Sequence, residues 1–120
     1  MLLGPTVRQK DFEIDIFKTS EGELTITFIG HGTLMMQFGG KTIHIDPVGT
    51  YADYAKMPKA DLILITHHHG DHLDTKAIGL LQKGSTETVL TKICHEQYPG
   101  GKIIGNGETG VFAGIKVEAV

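Results

Sequence analysis

A chain of 120 residues, 40% hydrophobic and 21% charged, has room for one packed core and none for a second domain. Its formal net charge of −3, with no block of like charges, excludes the footprint of a nucleic-acid binder or a membrane-surface patch and leaves a small-molecule substrate or a protein partner. Cys94 is the single cysteine, which excludes an intrachain disulfide and a thiolate zinc cluster, so any metal must be held by histidine and carboxylate.

Phe12, Ile14 and Ile16 alternate with Asp11, Glu13 and Asp15, the period of a strand with one buried face. After a turn at Ser20, Glu21 and Gly22 the same period returns in Leu24, Ile26 and Phe28, so the two segments are expected to pair as an antiparallel hairpin. Gly30 and Gly32 flank His31. Thr33 to Phe38 alternates again, reaches Gly39 and Gly40, and resumes as Lys41 to Asp46, the pattern of a hairpin closed by a glycine turn. Pro47 ends it, having no N–H for the ladder. Val48 to Ala60 has no period, and Tyr51, Tyr54 and Pro58 mark an ordered loop of the kind that borders sites.

Leu62 to Ile65 is a continuous apolar run, expected of a strand buried on both faces. Asp74 is placed to cap a helix with Ala77, Ile78 and Leu81 on one face and Gly84 at its end. Thr88 to Leu90 reads as a strand, and Thr91 to Tyr98 as a short helix stopped by Pro99 and Gly100. Lys102 to Ile104 and Val111 to Val120 finish as strands around a glycine-rich turn. Antiparallel strands followed by βαβ units make an α/β (α+β) fold with a mixed sheet and two helices. The longest apolar runs are too short to cross a bilayer and no signal-peptide pattern stands out, so the cytoplasm is the default location, or the periplasm if a leader has been removed.

Four of the seven histidines fall between His67 and His72. In extended backbone alternate side chains share a face, so His67 and His69 can reach one cation while Asp71 and His72, turned by Gly70, can reach another. Imidazole with carboxylate suits zinc first, and also manganese, iron or nickel. Two such ions can share a hydroxide and lower the pKa of bound water, chemistry that hydrolyses esters, lactones, amides or phosphoesters. A run of surface histidines is the competing account, but the added Gly70, Asp71 and His72 weigh against it.

The segment His67-His68-His69-Gly70-Asp71-His72 resembles the His-x-His-x-Asp-His signature of the metallo-β-lactamase-fold superfamily, especially its lactonase-like and phosphodiesterase-like metal-dependent hydrolases. The resemblance extends to Thr27–Thr33, to Thr42–Pro47 and to Asp61–Thr66. It implies that His67 and His69 bind a first metal and Asp71 and His72 a second, with Asp71 also orienting or deprotonating the attacking water. It further implies that Asp46 supports the ligand histidines from behind. The fold it implies is one half of a four-layer αββα sandwich, since family members are longer and draw further ligands from a later half that residues 1–120 do not contain. The single domain therefore reads as truncated. A hydrolase acting through metal-bound hydroxide on an ester, lactone or phosphodiester is the leading expectation, and a non-catalytic metal-binding or self-associating half-domain is the alternative. One half would leave a sheet face to be covered, for which a homodimer is one solution.

His31 reads equally as a pocket residue and as a turn residue. His44, alternating with Ile43 and Ile45, is expected on a solvated strand face, and Cys94 as core filling. Gly105 to Gly110 has the spacing of a dinucleotide loop but is followed by strand-like alternation where a helix is needed, so it reads as a tight turn.

Overall fold

The computed structural model describes residues 12–66 and 73–120. Seven strands form one sheet in the order in which they occur along the chain: β1 (Glu13–Thr19), β2 (Gly22–Gly30), β3 (Thr33–Phe38), β4 (Lys41–Ile45), β5 (Leu62–Leu64), β6 (Glu87–Leu90) and β7 (Lys102–Ile103). The first four are antiparallel neighbours, and β4 to β7 run parallel to one another. Helices α1 (Thr75–Leu80) and α2 (Lys92–Gln97) are the crossovers of the parallel half. A hairpin of β8 (Thr109–Phe112) and β9 (Ile115–Glu118) forms a second, two-stranded sheet.

Local chemistry sets these boundaries. Gly39 and Gly40 both take positive φ (58° and 79°), the left-handed pair that a two-residue turn between β3 and β4 requires. Asp74 caps α1 by accepting from the Lys76 and Ala77 amides, and Thr91 caps α2 by accepting from Cys94. α1 ends at Leu80, with Leu81 as its cap, four residues before Gly84. The Leu81 amide turns back onto the Gly79 and Ile78 carbonyls, so the helix closes before glycine is reached.

The sheet has an apolar layer on each face. On one, Ile63, Ile65 and Leu90 pack with Tyr54, Leu73, Ala77, Ile78, Leu81 and Cys94 beneath the helices. On the other, Ile43, Leu62 and Val89 pack against Phe112, Ala113, Ile115 and Val117 of the hairpin. Strand β5 is thus covered from both sides, and its unbroken apolar run follows from that.

Two expectations are corrected. Every residue of β1 is exposed, including Ile14 (41%), Ile16 (60%) and Phe17 (48%), so no face of it is buried among the described residues. The helices stand over the parallel strands and the hairpin over β3 to β6, and neither reaches the β1 edge. His44 is fully buried (0% exposed). It does point away from Ile43 and Ile45, but the face it points to is roofed by the loop carrying Tyr54 and Pro58. Its Nε2–H donates to the Pro58 carbonyl (3.0 Å), since a carbonyl can only accept, and its ring meets Tyr54 edge-on at 5.7 Å.

Candidate functional site

The pairing directions bring the C-terminal ends of β2, β4, β5 and β6 to one edge of the sheet. His31 follows β2, Asp46 follows β4, Thr66 follows β5 and Thr91 follows β6. In parallel sheets this is the edge at which ligands bind, because the strand-to-helix loops gather there. His67, His69, Asp71 and His72 lie outside the described residues, in the stretch of sequence between Thr66 and Leu73. Among the described residues no cluster of three or more histidine, cysteine, aspartate or glutamate side chains is arranged to hold a metal.

Asp46 is 1% exposed and fixed from every side. Its carboxylate accepts from the Thr66 amide at 2.7 Å through one oxygen and from the Thr66 hydroxyl at 2.6 Å through the other. Its own amide donates to the Leu64 carbonyl (2.9 Å), and its carbonyl accepts from the Thr33 hydroxyl (2.8 Å). These bonds hold a backbone conformation uncommon outside glycine, with φ at 48°. The chain entering the histidine segment is thereby pinned to the end of β4.

The chain leaving that segment is pinned too. Asp74 uses Oδ1 for its two cap bonds (3.0 and 3.1 Å) and turns Oδ2 to the Gly49 amide at 2.8 Å. Both flanks are therefore bonded to the stretch that begins at Asp46. Spacing alone marks Asp74 as a cap, and nothing in the sequence pairs it with Gly49.

His31 is exposed, takes φ 52°, and stacks on Tyr51 with ring centroids 6.4 Å apart and planes at 23°. It is at once a turn residue and part of an aromatic pair on the site edge. A side chain at position 30 would lie 3.0 Å from the Tyr51 ring, so glycine there admits Tyr51 against the backbone. A cavity of about 680 Å³ opens between α1 and this loop, lined by Gly49, Tyr51, Asp53, Tyr54, Asp74 and Lys76. Tyr54 is buried at its floor, and burial, with the Asp46 and Asp74 charges adding to it, pushes its hydroxyl well above the usual phenol range. Burial likewise holds His44 below the ordinary imidazole value, outweighing its bond to Pro58.

A model of the β-lactamase superfamily domain matches residues 25–120. A UPF0173 metal-dependent hydrolase of Pelotomaculum thermopropionicum is 36% identical over 104 residues, covering 79% of this chain and 44% of the relative. The crystal structure of a protein named a metal-dependent hydrolase from Parabacteroides distasonis superposes with a TM-score of 0.80 at 51% identity, over 82% of this chain and 46% of that one. A metallo hydrolase of the archaeon Ignicoccus hospitalis gives 0.55 at 26% identity, over 72% and 42%. The chain spans less than half the length of these relatives. With a matching family model over most of its length and the mixed sheet and crossover helices described above, the chain belongs to the β-lactamase superfamily and carries part of its metallo-β-lactamase fold.

Proposed function

We propose that the chain contributes the first ligand loop of a metal-dependent hydrolase acting on an ester, lactone or phosphodiester bond. The observation that carries this reading is that both residues flanking one short segment are anchored at the C-terminal sheet edge, Thr66 on Asp46 and Asp74 on Gly49, because the sequence between them contains His-x-His-x-Asp-His. Three imidazoles and a carboxylate are a donor set that fits zinc, and also manganese, iron or nickel. The relatives' names, metal-dependent hydrolase and metallo hydrolase, support the same chemistry.

In this reading His67 and His69 hold one ion and Asp71 and His72 another. Bound divalent ions supply Lewis acidity and a water acidic enough to attack at neutral pH. Asp71 would orient or deprotonate that water, and Asp46 keeps the chain entering the segment in place through Thr66. His31 and Tyr51 offer an aromatic wall on the same edge for a small-molecule substrate.

Metal content per chain by elemental analysis, run with mass in solution, tests the reading. Close to two equivalents in a defined assembly, lost in the His67→Ala and His69→Ala variants together with lactone or phosphodiester cleavage, is the expected result. Negligible metal that added zinc or manganese cannot restore would sink it.

A second reading, a half-domain that associates through its sheet face, is favoured by the apolar grooves beside the β8–β9 hairpin. One, of about 520 Å³, is bordered by Leu24, Met36, Phe38 and Ile115. The other, of about 340 Å³, is bordered by Leu64, Val89, Ile104 and Val117. A second copy of the chain is the partner proposed for that face.

A further inference from the structure

We propose that Asp74 is a positioning residue for the metal loop, acting through Gly49: Asp74, two positions after His72, is bonded to the same backbone segment to which Thr66, one position before His67, is bonded by Asp46. For its functional consequence this rests on the metal-site reading above. Capping a helix takes one side-chain oxygen, and Asp74 spends only Oδ1 on the Lys76 and Ala77 amides. Its second oxygen reaches the Gly49 amide, 25 positions earlier in the chain, at 2.8 Å. A Cβ at position 49 would lie 3.3 Å from that oxygen, so a side chain there would make the Asp74 carboxylate shift away from the Gly49 amide. Asp46 is three residues upstream of Gly49, and its carboxylate holds Thr66 by two bonds of 2.7 and 2.6 Å.

A single stretch, 46–49, therefore holds both residues that flank the histidine segment, Thr66 and Asp74. Donors that must converge on one or two ions gain from this, because the cost of bringing the ends together is met by the fold before any ion arrives. The arrangement is also lopsided. Asp46 lies deep in the sheet edge, whereas the Asp74–Gly49 bond is at the exposed side, so Asp74 can be altered with less damage to the core.

Asp74→Asn is the discriminating variant. Asparagine caps helices as well as aspartate does, but its one oxygen can serve either the helix amides or Gly49. Gly49→Ala attacks the same bond from the other end. Gly40→Ala, in a turn at the opposite edge of the sheet with φ 79°, is the control for lost stability alone. Zinc affinity would be measured by competition with a chromophoric chelator, beside the unfolding midpoint of the metal-free chain and the exchange rate of the Gly49 amide by NMR. Expected are a roughly tenfold loss of zinc affinity in Asp74→Asn and Gly49→Ala, the range seen when supports of metal ligands are removed, and none in Gly40→Ala despite a lowered midpoint. Unchanged affinity in both, or an equal loss in Gly40→Ala, would overturn the proposal. If Asp74→Asn does not fold, Gly49→Ala decides. Should the parent chain bind no zinc, the metal-site reading falls separately, and the anchor is judged on the Gly49 amide. Protection that disappears in Asp74→Asn supports the anchor, and an unprotected amide in the parent refutes it.

Discussion

Because His44 is sealed beneath the Pro58 loop, burial favours its neutral imidazole and outweighs the Nε2–H bond to the Pro58 carbonyl, which favours the charged form. Its proton affinity is lowered from the ordinary 6.5, so below that value the unfolded chain takes up a proton that the folded chain refuses. Stability is unaffected well above pH 6.5 and falls as the pH drops toward the lowered value, by at most about 1.4 kcal/mol per pH unit for one proton. Urea unfolding at pH 7.5 and pH 5.5 should show this fall in the parent and a smaller one in His44→Gln, which keeps a donor for Pro58 and does not titrate. Equal falls in both would remove His44 as the cause. At Thr66, the Val substitution deletes the hydroxyl that meets the Asp46 carboxylate at 2.6 Å while preserving the backbone bond. A loss of about 1.5 kcal/mol in unfolding free energy, the lower end for a hydrogen bond to a charged group, is expected because the Asp46 carboxylate is buried while Thr66 is exposed. The family resemblance singled out Asp46, which bonds Thr66 in the structure, but nothing in the sequence announced the enclosure of His44. Alternation reports which side of a strand a residue takes, and only the path of residues 46–60 reports whether that side is wet.

At the level of elements, the β8–β9 hairpin is tied to the main sheet by one acidic side chain. Glu87 on β6 accepts from Lys102 Nζ on β7 and from the Ala113 amide at the hairpin tip, each at 2.6 Å. The Lys102 ammonium first, and then the Ala113 amide, hold its carboxyl below the ordinary 4.5. A carboxylate shifted this way contributes above 4.5 and stops contributing as the pH falls through its lowered value. Amide exchange, corrected for its intrinsic pH dependence, should therefore show β8 and β9 losing protection below pH 4.5 ahead of β4 and β5, and Glu87→Gln should show that loosening already at pH 7. If the hairpin keeps its protection in Glu87→Gln, apolar packing alone seats it. The hairpins themselves were plain in the sequence, since a period of two broken by Ser20-Glu21 or Gly39-Gly40 leaves little choice of register. The exposure of β1 was not, because alternation in an edge strand looks the same whether or not another layer lies over it.

For the molecule as a whole, the two sheet faces are unequally finished. Helices close one face of the parallel half, and the hairpin covers only the middle of the other, leaving the two apolar grooves beside it. If a second copy fills them, sedimentation should give twice the 13.0 kDa of the chain, and Met36→Glu, at the border of one groove, should return it to a single copy. A monomer in the parent, at concentrations well into the micromolar range, would end the self-association reading. The family sandwich was legible from motifs spread between Thr27 and Asp74. How far the hairpin would cover the second face was not, since Val111–Val120 gives strand period without saying what it rests on.

Among the described residues the main sheet adds its strands in the order of the sequence, with none inserted between earlier ones. It is therefore suited to growth during synthesis. Each strand leaving the ribosome meets an edge that its predecessor has just completed, and the four antiparallel strands need only short-range pairing before the slower parallel crossovers begin. The histidine segment emerges after β1 to β5, when both Asp46 and Gly49 are already outside the exit tunnel to receive it.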